Sequence, residues 1–271
     1  MDSGIQSRRN LKLTVQYDGA SFHGWQRQPS MRTVQGVLEK VLSELCAEQV
    51  QLAGASRTDQ GVHARGQVAN VQIDSPIPAN RLRIALNGRL PADVRICEVV
   101  EESPDFHARF RAKGKHYRYL LDRREVSGVF LSRYALHCPG PLDAAAMRRA
   151  AAGFVGEHDF ASFQCVSGNL CETTVRRIYG VFVEEKGDLV MVDVWGQSFL
   201  YKMVRTMVGT LLEVGRGKRR PAEIRDCLEA RDRRFSGATV AGRGLCLMSV
   251  YYDLALLLEA MPTKAEPLLF P

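Results

Sequence analysis

Long apolar runs are missing from this 271-residue chain. No stretch approaches the roughly 20 apolar residues that span a bilayer. The opening MDSGIQSRRNLKL holds no apolar run of signal-peptide length, so a cytoplasmic protein without a membrane partner is expected. Cysteine is sparse and odd in number: Cys46, Cys97, Cys138, Cys165, Cys171, Cys227 and Cys246, with no C-x-x-C among them. That argues against a disulfide framework and against zinc, and leaves most of the thiols as small core residues. A Rossmann glycine fingerprint, a phosphate-binding P-loop and metal-ligand spacing are also lacking, which agrees with a reaction that needs neither cofactor nor metal. Lysine is scarce, at 8 against 29 arginines, within a net charge of +7. Arginine forks onto phosphate and stacks on bases, so the bias fits a nucleic-acid partner, though a GC-rich genome would produce it too.

What is present reads as alternating strands and helices. Leu11, Leu13, Val15 and Tyr17 alternate with polar residues, as in a half-buried strand ended by Asp18-Gly19. Val34, Val37, Leu38, Val41, Leu42 and Leu45 fall on one helical face, with Thr33 placed to cap it. Strands near 50–55 and 66–74 follow, separated by a loop from Ser56 to Arg65; a helix near 79–88 and a strand near 94–101 close the half. This β-α-β-β-α-β order is the split-βαβ, ferredoxin-like unit. A second half repeats the order: a strand near 113–121, a helix near 143–153, a hairpin over 175–185 and 188–196, helices near 199–214 and 221–231, and a strand near 245–252. The expectation is an α+β fold of two similar ferredoxin-like halves with antiparallel sheets, residues 1–111 and 112–258, and an irregular tail over 259–271.

The densest chemistry lies in GASRTDQGVHARGQVANV, residues 54–71. Taken locally, Asp59-Gln60-Gly61 is a turn signal, and Asp59 need do no more than shape that turn. Several segments together say more. Gly54 to Ala64 resembles the G-R-T-D-x-G-V-H-A signature of the TruA family of tRNA pseudouridine synthases. Tyr17-Asp18-Gly19, Gly24-Trp25-Gln26-Arg27-Gln28 and Thr33-Val34-Gln35 resemble that family's Y-D-G, G-W-Q-R-Q and S/T-V-Q segments. Phe106-His107-Ala108-Arg109-Phe110, Lys115-His116-Tyr117-Arg118-Tyr119, Met203-Val204-Arg205 with Val208-Gly209, and Gly244-Leu245 with Leu247 continue the series in order to about residue 252. Departures are Ser56 where glycine is common, Gln60 where alanine is commonest, and Gln197-Ser198 before Phe199; they bear on fine preference rather than on activity.

The resemblance implies the pseudouridine synthase fold, with the two sheets joined across a central basic cleft. It implies isomerisation of uridine to pseudouridine at tRNA positions 38, 39 and 40, by a homodimer whose two subunits both contact one tRNA. Asp59 is then the catalytic carboxylate. The reaction breaks the N1–C1′ bond, turns the base and rejoins it through C5, without redox change or net hydrolysis. Positive charge builds at C1′ and O4′, and an ionised carboxylate there can stabilise it, bond to it or take a proton from the sugar; attack on the base ring is a further route.

The remaining site residues each have a second account. Arg205 falls at the edge of the apolar arc of its helix, where a half-buried guanidinium needs an acceptor: Asp59 by resemblance, or else Glu213 or solvent. Tyr117 shares a strand face with Tyr119; both suit a core, and the resemblance assigns Tyr117 to stacking on the flipped uracil. Leu247 stands for the apolar residue on the base's other side, or packs. Arg57 holds the flipped nucleotide's backbone, or is a solvated arginine. His63 is an acid or base, or a hydrogen-bonded structural histidine. Basic clusters occur at Arg81/Arg83/Arg89, at Arg109/Arg111/Lys113/Lys115/Arg118 around Tyr117, at Arg123/Arg124, and at Lys218/Arg219/Arg220.

Overall fold

The computed structural model describes residues 8–165 and 172–262. They form two compact units, residues 8–112 with 247–250, and residues 113–165 and 172–246 with 251–262. The elements of the first are β1 (Arg9–Tyr17), α1 (Val34–Cys46), β2 (Ala53–Gly54), β3 (His63–Ile73), α2 (Ala79–Arg89) and β4 (Val94–Glu102). β1 pairs antiparallel with both β3 and β4, and β2 pairs antiparallel with β3. The spatial order β4-β1-β3-β2 is that of a ferredoxin-like unit. β10 (Leu245–Tyr251), whose residues 247–250 belong to this unit, also lies beside β3.

The alternation of β1 is realised: Leu11, Leu13, Val15 and Tyr17 are all buried. Thr33 caps α1 by accepting the Gly36 N–H at 3.3 Å. The buried face of α1 differs from the expected one. Gln35 and Glu39 are buried, whereas Val37 and Leu45 are only half-buried. Polar partners account for this. Gln35 accepts from the Arg27 N–H at 2.9 Å and from Gln26 at 2.8 Å, and Glu39 accepts from the Leu52 N–H at 2.9 Å. The strand expected over 50–55 shrinks to two residues for a related reason. The Val50 and Leu52 amides donate to Ser43 and Glu39 of α1 rather than to a neighbouring strand. β3 begins at His63, three residues before the expected start, because Ala64 already pairs with Tyr17.

The second unit contains β5 (Gly114–Asp122), β6 (Leu136–His137), α3 (Ala144–Ala151), β7 (Gly156–Asp159), β8 (Val175–Lys186), β9 (Leu189–Gly196), α4 (Met203–Gly215), α5 (Glu223–Ala230) and α6 (Leu254–Ala260). Its strands run in the order β5-β9-β8-β7, antiparallel throughout, with β6 as a short parallel addition to β5. α3 packs on β8 and α4. α4 is buried on most sides, with Met203, Val204, Met207, Val208 and Leu211 in the core.

Two further expectations are corrected here. α4 starts at Met203 rather than 199, because Lys202 adopts a left-handed conformation (φ 60°) that a helix cannot continue through. Residues 254–260, expected to be partly tail, form α6, capped by Asp253, which accepts the Ala255 N–H at 2.7 Å. The rest of the tail beyond 262 lies outside the described residues, as does Cys171; of the six described cysteines only Cys138 and Cys227 are buried, fewer than expected, and Cys97 is exposed. Among the described residues no helix is long and apolar enough to cross a membrane.

Candidate active site

The loop from Ala55 to Val62 joins β2 to β3 and carries Arg57 and Asp59. Arg57 is exposed and Asp59 half-buried. The loop backbone is held residue by residue. Ala55 donates to the Val68 carbonyl at 2.7 Å. The fully buried Gln67 grips the next residue from both sides, accepting from the Ser56 N–H at 3.2 Å and donating to its carbonyl at 2.6 Å. The backbone of Ser56 is thus anchored through both its N–H and its carbonyl.

Around Asp59 the grip tightens. The Thr58 carbonyl accepts the Trp25 N–H at 3.0 Å, and the Thr58 hydroxyl meets the Tyr17 hydroxyl at 2.7 Å. The Asp59 carbonyl accepts the Val62 N–H at 3.2 Å, closing a turn in which Gly61 takes a positive φ of 76°. The Gly61 N–H donates to Phe22 at 3.3 Å. Gly24 passes beneath with φ 91°; a Cβ there would lie 2.6 Å from the Thr58 carbonyl oxygen. His63 is buried, and its Nδ1 accepts the Gly19 N–H at 3.0 Å with the Asp18 carboxylate 3.2 Å away. It ties the end of β1 to the start of β3, which is the structural account of that residue.

The segments 17–19, 24–28 and 33–35 therefore meet under the Asp59 loop. Val34 and Gln35 at the start of α1 donate to the carbonyls of Gly24 and Trp25 at 3.2 and 3.0 Å. Tyr17, Gly24, Trp25 and Gln67 were not singled out as individual site residues by the sequence. The only signal was that three of them sit in motif segments with no assigned role.

In the second unit, Tyr117 lies opposite Val194 in the β5–β9 ladder and meets the Phe199 ring edge-on at 5.2 Å. Tyr119, two residues on, is fully buried, and its hydroxyl donates to the Ala241 carbonyl at 2.7 Å. Burial pushes its phenol well above the ordinary range, against the pull of Arg205 and Arg243. Arg205 is half-buried on the first turn of α4, and its Nε donates to the Val240 carbonyl at 2.7 Å. The segment 240–241 thus receives both Arg205 and Tyr119. Glu213, the alternative acceptor for Arg205, is engaged instead by Arg219 at 3.0 Å. Leu247 is fully buried on β10.

The basic residues around Tyr117 do not share one face. Arg118 points to the opposite side of β5 from Tyr117. There its Nε donates to Asp193 at 2.8 Å, beside a 2.6 Å contact between His116 Nε2 and the same carboxylate oxygen. The His116 ring stacks on Trp195 at 3.9 Å, and the group borders a cavity of about 520 Å³. Burial holds the His116 imidazole below its ordinary value, outweighing the pull of Asp193. Burial pushes Asp193 upward, yet His116 and Arg118 together bring it below the usual carboxylate range. Other arginines of the basic clusters are also neutralised locally: Arg124 by Asp122 at 2.7 Å, Arg219 by Glu213, and Arg220 by Glu223 at 3.2 Å. Arg81, Arg83 and Arg89 are exposed on α2. No group of three or more His, Cys, Asp or Glu among the described residues is placed to hold a metal ion.

Comparison with known proteins follows the same segments. The sequence profile described as tRNA pseudouridine synthase matches residues 13–111 and 150–253. The tRNA pseudouridine synthase A of Acetivibrio thermocellus is 47% identical over 244 residues, covering 90% of this chain and 100% of that protein. The protein of the same name from Brevibacillus brevis is also 47% identical over 244 residues, with the same coverage of both chains. That of Geobacter sp. is 46% identical over 245 residues, 90% of this chain and 99% of its own. With both halves matched and the relatives covered end to end, this chain belongs to the tRNA pseudouridine synthase family.

Proposed function

We propose that this chain isomerises uridine to pseudouridine in tRNA, with Asp59 as the catalytic carboxylate. The observation that carries the proposal is the presentation of Asp59: a half-buried acid on a backbone whose preceding carbonyl, own carbonyl and second following amide are all hydrogen-bonded. A group held in this way loses little freedom when the substrate arrives. Its chemistry suits cleavage of an N-glycosidic bond, in which charge develops at C1′ and O4′. The N1–C1′ bond breaks, the base turns, and a C5–C1′ bond forms while the C5 proton leaves and N1 gains one. The atoms balance without redox cofactor, metal or water.

The other residues take these roles in the proposal. Arg205 is the second catalytic residue, a cation that complements the charge developing in the reaction. Tyr117 stacks on the extruded uracil and Leu247 closes its other face. Arg57, exposed two residues before Asp59, holds the nucleotide's phosphate. The substrate uridines are those at positions 38, 39 and 40 of the anticodon stem-loop. The protein works in the cytoplasm as a homodimer, with a positively charged cleft that tracks the RNA backbone.

Mapping pseudouridines in tRNA from cells lacking the gene tests the substrate assignment. Loss confined to positions 38–40, restored by the intact gene and not by an Asp59→Ala copy, is the expected result. Loss at other RNA sites would reassign the substrate. Tight tRNA binding without conversion would make the protein a non-catalytic RNA binder.

A further inference from the structure

We propose that Tyr17 is a positioning residue for the reaction, acting through Thr58 to fix the direction in which Asp59 leaves the loop. The inference rests on the reading of Asp59 as the catalytic carboxylate and extends it to a residue that never touches the substrate. Tyr17 closes β1 and is 3% exposed, while Thr58 is 7% exposed. Their hydroxyls meet at 2.7 Å. Thr58 immediately precedes Asp59, and its carbonyl is already bound to the Trp25 N–H at 3.0 Å. The Tyr17 bond therefore fixes the side chain of a residue whose backbone is fixed separately. Together they immobilise the residue from which the Asp59 peptide departs.

The register of β1 supports a dedicated arrangement. Val15 pairs with Gln67, but Tyr17 pairs with Ala64, so the ladder slips by one residue between them. The extra residue is on β3, between Ala64 and Gln67, and such a bulge bends the strand that carries it. The bend lies where β3 leaves the Asp59 loop, beside Tyr17, whose hydroxyl reaches Thr58. The Tyr17 ring also lies 6.1 Å from the ring of Trp25, whose amide holds the Thr58 carbonyl. One aromatic pair thus stands behind both anchors. Packing alone would be served by phenylalanine at residue 17. The hydroxyl adds a bond between two buried groups that would each lack it if the other were removed.

The test is single-turnover conversion of a tRNA transcript at saturating enzyme, with Kd measured separately by filter binding. Wild type, Tyr17→Phe, Thr58→Val, Thr58→Ser, the Tyr17→Phe/Thr58→Val double variant and Asp59→Asn are compared, below the melting transition of every variant. Tyr17→Phe and Thr58→Val are each expected to lower the maximal rate by roughly 10- to 100-fold, the scale of a small misplacement of a reacting group. Kd should stay within about threefold, since the phosphate contacts that dominate RNA affinity are untouched. Thr58→Ser keeps the hydroxyl and should keep most of the rate. The double variant should be no slower than the slower single variant, because one bond is lost in all three. Full rate in Tyr17→Phe and Thr58→Val beside an inactive Asp59→Asn would overturn the positioning role alone. So would losses that fall on Kd, that multiply in the double variant, or that Thr58→Ser shares. An Asp59→Asn enzyme as fast as wild type would overturn the Asp59 reading itself.

Discussion

At the scale of the residue, the Asp59 loop is defined by contacts from distant parts of the chain. Gly24 is the sharpest case. Its φ of 91° and the 2.6 Å separation between a would-be Cβ and the Thr58 oxygen leave no room for a side chain. Gly24→Ala should cost about 1–3 kcal/mol of stability, the usual range for backbone forced into a sparse region, and should lower turnover as the loop shifts. Urea unfolding beside a turnover assay measures both; an alanine enzyme of native stability and rate would contradict the geometry. Arg205 makes a second prediction. Its Nε donates to the Val240 carbonyl at 2.7 Å, which fixes the direction of the guanidinium. Arg205→Ala should lower kcat by about 100-fold or more, the scale seen when one preorganised electrostatic group is removed, and Arg205→Lys should recover only part, since an ammonium lacks the planar fork.

At the scale of the element, periodicity located the strands and helices well, and their ends depended on interactions no window of sequence contains. β1 and α1 follow from alternation, helical spacing and the Thr33 cap. β2 is short because Ser43 and Glu39 of α1 capture the amides of Val50 and Leu52, and nothing in residues 50–55 reveals that competition. α4 starts late because Lys202 is left-handed, an uncommon state for a residue that is not glycine. Among the candidate residues, Asp59, Arg57 and Tyr117 could be named from motif segments, whereas the Tyr17–Thr58 and Gln67–Ser56 bonds span 41 and 11 residues and have no local signature.

β5 and β9 carry a titration of their own through His116 and Asp193. The folded state holds His116 below its unfolded value, so unfolding takes up a proton as pH falls through about 6.5. Asp193 is also depressed, so its contribution is present above the unfolded value of about 3.9 and is lost as pH falls through the lower folded value. Both signs make acidification destabilising. Melting temperature should fall as pH drops below about 6.5, and more gently in His116→Gln, which cannot take up that proton. Parallel curves for the two proteins would contradict the assignment.

At the scale of the whole molecule, the net charge of +7 and the excess of arginine fit a polyanionic substrate, although several arginines are neutralised by acidic neighbours. Affinity for tRNA should therefore fall steeply as salt rises, equally in wild type and Asp59→Asn, because counterion release accompanies phosphate contact and Asp59 takes no part in it. Binding titrations between about 50 and 200 mM salt measure the slope; a flat line would remove the basic cleft from the account. The most direct test of the central claim is the pseudouridine content of one tRNA transcript incubated with wild-type protein or with Asp59→Asn. The account predicts conversion by the first and none by the second, with tRNA affinity alike within about tenfold. Pseudouridine formed by the Asp59→Asn protein at the wild-type rate would contradict it.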